Sequence, residues 1–326
     1  MRWLFIQTGL NILRSAHVVK QIIAGVLSSL MLFACSNNTQ VTSGANSTMH
    51  VPPNDSLRVA TWNMEHFTDR LTEGCRPRSK EDIAAINAYL TRVGADVYAL
   101  QEVASVTALR QVFPADDWQI VFSGRPDSAP YECRENGQPS TQQKVAIVAR
   151  KSLNIIASDN LTSFGLNEPG LRYGVVATLQ TSTGTFNIVS LHLKSGCFVN
   201  DYTASHTKAC PLLARQVPVL TSLLQQYQAE GTPFVIMGDF NHRLAEPGNR
   251  LFAELTGSIN TGFELVTNTL VGCHPRYPAP IDHILVGGMT GEPVNLVARV
   301  HAFDNMNEPD MLSDHCAVSV DLQGTE

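Results

Sequence analysis

The chain has 326 residues, 44% of them apolar, and a formal charge of −6. That length holds one large domain or two ordinary ones, and the apolar content is enough for a sizeable core. The net acidity excludes a global basic field that would hold a polyanion on charge alone, which weighs against a pure nucleic-acid-binding protein. A nuclease stays open, because a divalent metal and local Arg or Lys can supply positive charge where it is needed.

Residues 1–34 contain Arg2, Arg14 and Lys20 and no acidic residue, and they end in an apolar run, Ile22 to Ala34, interrupted by Gly25, Ser28 and Ser29. The run is short of the roughly 20 apolar residues a membrane span needs, so it reads as an export signal. At Leu32-Phe33-Ala34-Cys35 the chain turns at once to polar Ser36-Asn37-Asn38. This resembles the bacterial lipoprotein signal. The resemblance implies cleavage before Cys35, lipidation of that Cys, and anchoring on the periplasmic or outer-membrane surface. Cleavage would leave 20 basic against 29 acidic residues, a charge of −9. Residues 35–56 are rich in Ser, Asn, Thr, Gly and Pro and read as a flexible tether reaching roughly 25 Å. No internal repeat or second linker follows, so residues 57–326 are expected to form one catalytic domain.

Within that domain, Arg58 to Asn63 reads as a strand. Ser79 reads as a helix N-cap with Asp82 three residues on, and Ile83, Ile86, Leu90 and Val93 form a helical stripe that Gly94 ends. Strands are expected from Asp96 to Val103 and from Lys144 to Arg150. Tyr173 to Leu179 and Thr185 to Leu193 read as a hairpin around Ser182-Thr183-Gly184. A helix is expected from Leu212 to Tyr227, with Pro218 restricting its first half. Strands then run from Pro233 to Met237, Ile281 to Val286 and Cys316 to Leu322. Many strands, few helices and long loops suggest stacked sheets with outer helices.

Seven Cys are present, and six remain if Cys35 carries lipid. An even number in an exported chain points to disulfides, and the spacings do not suit a zinc site. Cys197 and Cys210 share one polar loop and are the best pair. Cys75 with Cys133 is a second plausible pair. Cys316 reads as a buried strand residue.

Polar residues recur where the expected strands end: Asn63, Glu102, His192, Asp239 with Asn241, Asp282, and Asp314 with His315. Singly, a carboxylate at a strand end is usually a turn or cap residue. Together they are harder to dismiss, because carboxylates, amides and histidines at the ends of several strands suit a sheet edge that borders a cleft. Carboxylate and amide oxygens are the ligands of a hard cation, which neutralises negative charge beside it. A His with a carboxylate partner has its tautomer fixed and its pKa raised. A side-chain period of two places Asp239 and Asn241 on one strand face, and Ser190, His192 and Lys194 on another.

The ordered series, with Gly-Asp-Phe-Asn followed by Ser-Asp-His, resembles the endonuclease/exonuclease/phosphatase superfamily from Arg58 to Val320. The resemblance implies an α+β fold, a four-layer α/β/β/α sandwich of two mixed sheets with outer helices. It implies that Glu102 is the principal metal ligand, supported by Asn63 and Asp314. Asp239 and Asn241 would grip the scissile phosphate and orient water, and Asp239 could hold a second metal. His315 would be the catalytic histidine and Asp282 its orienting partner. His192 would be the second histidine, and Arg172 a phosphate contact. In the deoxyribonuclease branch a Glu supports the second histidine, whereas this chain offers Gln143, a neutral amide that stabilises a charged imidazole less well. Mg²⁺ is the expected cofactor, with Mn²⁺ or Ca²⁺ as substitutes and no organic cofactor.

These residues fix the reaction better than the substrate. Nucleic acid is the leading candidate, with Arg76, Arg78, Arg134, Lys194, Lys208, Arg243 and Arg276 near the motifs. A phospholipid phosphodiesterase or a phosphatase is the alternative. It would call for an exposed apolar hairpin, for which Phe198 and Tyr202 are the available residues. A non-catalytic surface binding module is a third reading, which the intact motifs disfavour. A monomer is expected.

Overall fold

The apolar segments become strands and helices in a computed structural model that describes residues 56–181, 184–259, 262–288 and 296–323. The export signal, Cys35, nearly all of the tether, and Ser182-Thr183 of the hairpin turn lie outside the described residues. One sheet is built from β1 (Ser56–Phe67), β2 (Val97–Val103), β3 (Trp118–Phe122), β4 (Lys144–Arg150), β11 (Ala298–His301) and β12 (Ala317–Gln323). Its order is β11-β12-β1-β2-β4-β3. The other is built from β5 (Asn154–Leu161), β6 (Gly174–Thr181), β7 (Gly184–His192), β8 (Phe234–Asp239), β9 (Phe263–Leu265) and β10 (Asp282–Gly287). Its order is β5-β6-β7-β8-β10-β9.

The inner faces meet in a middle layer, where Val59, Val97 and Ile147 of the first sheet share a core with Ile188, Val235 and Ile284 of the second. The outer face of the first sheet is covered by α1 (Lys80–Val93), whose Ile86, Tyr89 and Val93 pack with Trp62 and Phe67. A short helix, α2 (Val106–Arg110), adds Ala108 and Leu109 to that core. The outer face of the second sheet is covered by α3 (Cys210–Glu230) and α4 (Arg250–Ser258), which bury Leu213, Leu220 and Leu251 against Val189 and Ile236. This is the α/β/β/α sandwich.

Local chemistry explains the boundaries. Ser79 and Asp82 form a reciprocal capping box at the start of α1, and Gly94 ends it at φ 61°. Pro218 does not shorten α3, which runs 21 residues straight through it. An interior Pro costs about 3 kcal/mol, and the stripe Leu213, Val217, Leu220, Leu224 and Tyr227, all buried on the second sheet, offsets it.

Three disulfides join Cys75 to Cys133, Cys197 to Cys210 and Cys273 to Cys316. The reading of Cys316 as a simple buried Cys is corrected: it is buried and also bonded. Its partner lies 43 residues upstream in a polar loop, a pairing that only the folded topology brings together.

Candidate active site

Strand direction gathers the site. β1 and β2 run parallel, as do β7 and β8, while β10 is antiparallel to β8 and β12 to β1. The ends of β1, β2, β7 and β8 and the starts of β10 and β12 therefore share one edge of the sandwich. Asn63, Glu102, His192, Asp239 and Asp282 lie on these strands at that edge, and Asp314 and His315 immediately precede β12. The register of β1 on β2 shifts between Asn63 and Phe67, and that of β2 on β4 between Leu100 and Val103. Within these irregularities Glu65, His66 and Glu102 adopt φ of 44°, 54° and 58°. Bulges of this kind re-aim side chains, and left-handed backbone at non-Gly residues is strain concentrated at functional sites.

The contacts at this edge cross from sheet to sheet. Asn63 Nδ2 donates to Asp239 Oδ2 at 3.0 Å. His315 Nδ1 lies 2.7 Å from Asp282 Oδ2, with His315 Nε2 3.8 Å from Asp239 Oδ2. Burial would lower the His315 pKa, but Asp282, Asp314 and Asp239 outweigh it and raise it well above 6.5. Burial, with Asp282 beside it, pushes Asp239 up to about 7 from an ordinary 3.8. Asn241 is not on the β8 face as expected. The strand ends at Asp239 and Asn241 turns to φ 52°. It still reaches the site, because its N–H donates to Asp239 Oδ1 at 2.7 Å and its Nδ2 donates to Leu193 O at 3.2 Å. Ser190 faces the first sheet and accepts from Gln101, while Lys194, beyond the end of β7, donates to Ser195 O.

Beside this group sits a second cluster. His192 Nε2 lies 3.4 Å from Asp239 Oδ2 and 3.9 Å from Glu102 Oε1, with its Nδ1 buried and unpartnered. Burial and then Arg172 hold its pKa well below 6.5, so it is neutral. Burial alone would raise Glu102, but His192, His66 and Arg172 outweigh it and hold it at about 2. Gln143 does not orient His192. Its Nε2 lies 3.2 Å from His66 Nε2, and its Oε1 accepts from Arg172 at 2.8 Å.

His66 is a site residue that the sequence reading missed. It lies 3.7 Å from Glu102 Oε2 and 3.3 Å from the Tyr131 hydroxyl. Glu65 was also missed. Its Oε2 accepts from the Asp314 N–H at 3.1 Å and pairs with Arg76 at 3.4 Å, and burial with Asp314 nearby lifts its pKa to about 7. The run Trp-Asn-Met-Glu-His places two further polar residues just past Asn63, but only the irregularity between Asn63 and Phe67 brings them to the site.

Several cations near the motifs are already engaged. Arg78 is buried and donates to the carbonyls of Met64, Glu65 and Leu312. Arg276 pairs with Glu308 at 2.7 Å and Arg243 with Glu246 at 3.7 Å. Arg134 and Lys208 are exposed. Of the apolar pair considered for a membrane, Phe198 is 64% exposed while Tyr202 is 3% exposed.

Donor atoms of Asp239, Asp282 and His315 converge within 4.8 Å of one another, a potential divalent-metal triad. The set expected from sequence, Asn63, Glu102, Asp314 and Asp239, shares only Asp239 with it. The chemistry of the edge fits a hard cation either way. Glu102 is ionised, and Asp239 and Glu65, raised by burial and then by Asp282 and Asp314 beside them, are carboxylates whose ionised forms a divalent ion would favour.

A four-layer sandwich with carboxylates, amides and histidines joined across one edge defines a phosphoester hydrolase with a metal site. The sequence matches the family model described as Endonuclease/Exonuclease/phosphatase family over residues 60–315, and the chain belongs to that family. Among solved structures, the human Nocturnin catalytic domain with bound sulfate is similar at 18% identity and TM-score 0.57, covering 83% of this chain and 94% of that one. TDP2 of D. rerio complexed with single strand DNA product is similar at 16% identity and TM-score 0.57, covering 82% and 98%. An endonuclease/exonuclease/phosphatase from Bacteroides vulgatus is similar at 15% identity and TM-score 0.55, covering 83% and 99%. No curated protein matches the sequence.

Proposed function

We propose that this chain is an exported, lipid-anchored, Mg²⁺-dependent endonuclease acting on DNA or another nucleic acid. The hydrolytic part rests on one observation, the Asp282–His315 pair facing a buried Asp239. Nucleic acid is favoured by the buried Arg172, a cation at the catalytic edge whose hydrogen bond goes to the neutral Gln143 amide, and by the likeness to a protein complexed with single strand DNA product.

In this reading Glu102, Asn63 and Asp314 would hold a bound Mg²⁺, and Asp239 could share it. When bound, the ion would neutralise charge at phosphorus and at the leaving oxygen. Asp239, held by the Asn63 amide and the Asn241 N–H, accepts a proton from the attacking water. Asn241 holds Asp239 in place through its N–H, leaving its own Oδ1 for the water or phosphate. His315, positively charged and fixed by Asp282, binds the phosphate and supplies a proton. Neutral His192 and Arg172 contact the other phosphate oxygens.

The exposed Phe198 and Val199, beside Asn241 and His242, favour a second reading as a phospholipid phosphodiesterase. A panel of DNA, RNA, sphingomyelin and phosphomonoesters, with and without chelator, separates them. Faster turnover of sphingomyelin than of any nucleic acid would reject the nuclease reading.

A further inference from the structure

A groove of about 540 Å³ lies between the segments 125–143 and 165–173. It adjoins the catalytic edge through Gln143, whose amide also holds Arg172. Arg125, Tyr131, Thr141 and Tyr173 line it. Arg125 is only 7% exposed, yet among the described residues its guanidinium has no hydrogen bond and no carboxylate at ion-pair distance; its backbone N–H alone bonds Ser123 Oγ, at 3.4 Å. The two acids of the groove are engaged elsewhere, Asp127 with Lys144 at 2.6 Å and Glu168 with Arg215 at 2.6 Å.

Arg172 lies on the catalytic side of Gln143, and its Nε is buried with no hydrogen-bond partner among the described residues. Thr141 Oγ1 is buried and unpartnered too. Burial and then the nearby Arg172 push the Arg125 pKa down. The Arg125 guanidinium thus stands at the groove wall with its hydrogen-bonding capacity unused, and an arriving anion with several oxygens would satisfy it. Tyr131, 51% exposed at the groove, offers a ring on which a base can stack.

We propose that this groove is a second anion subsite, in which Arg125 takes the phosphate next to the scissile one in a polynucleotide strand and Tyr131 stacks on a base. The proposal rests on the phosphodiesterase reading above and names its substrate class. A phosphomonoester or a sphingomyelin-like diester has no second phosphate and leaves Arg125 without a ligand.

The test compares a trinucleotide containing two phosphodiesters with a dinucleoside monophosphate, on the full exported chain. Binding of fluorescently labelled forms is measured in chelator, and turnover of both, and of bis(4-nitrophenyl) phosphate, is measured with Mg²⁺. Arg125→Ala should weaken trinucleotide binding about 10- to 100-fold, the worth of a charge-assisted contact. The loss on the dinucleoside monophosphate should be at least about tenfold smaller. The slope of log affinity against log salt should fall by about 0.7, one phosphate contact on a single strand. Arg125→Lys, which keeps the charge, should retain that slope. Equal losses on the two substrates, or an unchanged salt slope, would overturn the subsite. Wild-type turnover of bis(4-nitrophenyl) phosphate reports separately on hydrolysis. Turnover without an Arg125 effect rejects the subsite alone, and no turnover of any ester rejects the reading beneath it.

Discussion

His315, at the entry to β12 in one sheet, holds its Nδ1 2.7 Å from Asp282 Oδ2, at the start of β10 in the other. Burial opposes the charge on this imidazole, and Asp282 is the largest of three carboxylates that restore it. Activity that needs the imidazolium should persist through neutral pH and fall as pH rises through the raised pKa. Asp282→Asn should lower kcat about 10²- to 10⁴-fold and move that basic limb to lower pH. The linkage has the same sign: stability from His315 is fully present below 6.5 and is lost as pH climbs through its folded value. A basic limb in the same place for Asp282→Asn and wild type would show that His315 is not the titrating group.

The two histidines should divide the work unequally. His192 is neutral and lacks a carboxylate hydrogen bond at Nδ1, so it contributes a phosphate contact more than a proton. His315→Ala should remove about 10²- to 10⁴-fold of turnover with the melting temperature little changed. His192→Ala should lose clearly less, with the effect mainly in KM. Steady-state kinetics of both variants decide it, and a greater kcat loss at His192 would reverse the assignment.

Metal should be visible without catalysis. Asp239 has a folded pKa of about 7 against 3.8, so in chelator its contribution to stability is present below 3.8 and disappears as pH rises through about 7. Mg²⁺ binds the ionised form and should counter that loss. At about 100 times its Kd a bound ion contributes about 2.7 kcal/mol, so the thermal shift on adding Mg²⁺ should grow across this window. Glu102→Gln should abolish most of the shift and the activity together. Full turnover in metal-free buffer would remove the metal from the mechanism.

The disulfide at Cys316 is covalently next to His315. Replacing Cys273 and Cys316 together by Ser should lower kcat about tenfold or more, because small displacements of reacting groups carry large penalties. The Cys197–Cys210 link should behave differently. Removing it should cost about 3 kcal/mol of stability, read by urea denaturation, with kcat in the surviving folded fraction less affected. Equal kcat losses in the two double variants would mean that proximity to His315 is irrelevant.

Mass spectrometry of the mature N-terminus should find diacylated or triacylated Cys35 and nothing before it. An intact Met1, or an unmodified soluble chain, would reject the lipid anchor proposed from Leu32-Phe33-Ala34-Cys35.

Regular patterns were readable and irregular ones were not. β1, β2, β4, β7, β8 and α1 follow from apolar alternation or a helical stripe, because each has a face that must be buried. β5 escaped because most of its residues are exposed, so no apolar period marks it. β9 and β11 are three and four residues long, too short for a period. Glu102, Asp239 and His315 were legible as polar residues breaking apolar strands. His66 was not, since only the bulge after Asn63 turns it toward Glu102. Gln143 was found, but its partner was misread: the amide meets His66 and Arg172, a pairing set by loop geometry.

Asn63–Asp239, His315–Asp282 and Glu102–His192 each link one sheet to the other. Neither layer owns a working half, so the catalytic edge acts as a vernier for the alignment of the whole sandwich. A slide of about 1 Å between layers would misplace all three pairs at once, enough to reduce turnover about 10²-fold. Ile147 and Ile188, deep in the middle layer, thereby set catalytic alignment although neither touches substrate. On heating, turnover should fade before secondary structure melts, and trimming either Ile to Val should widen that interval.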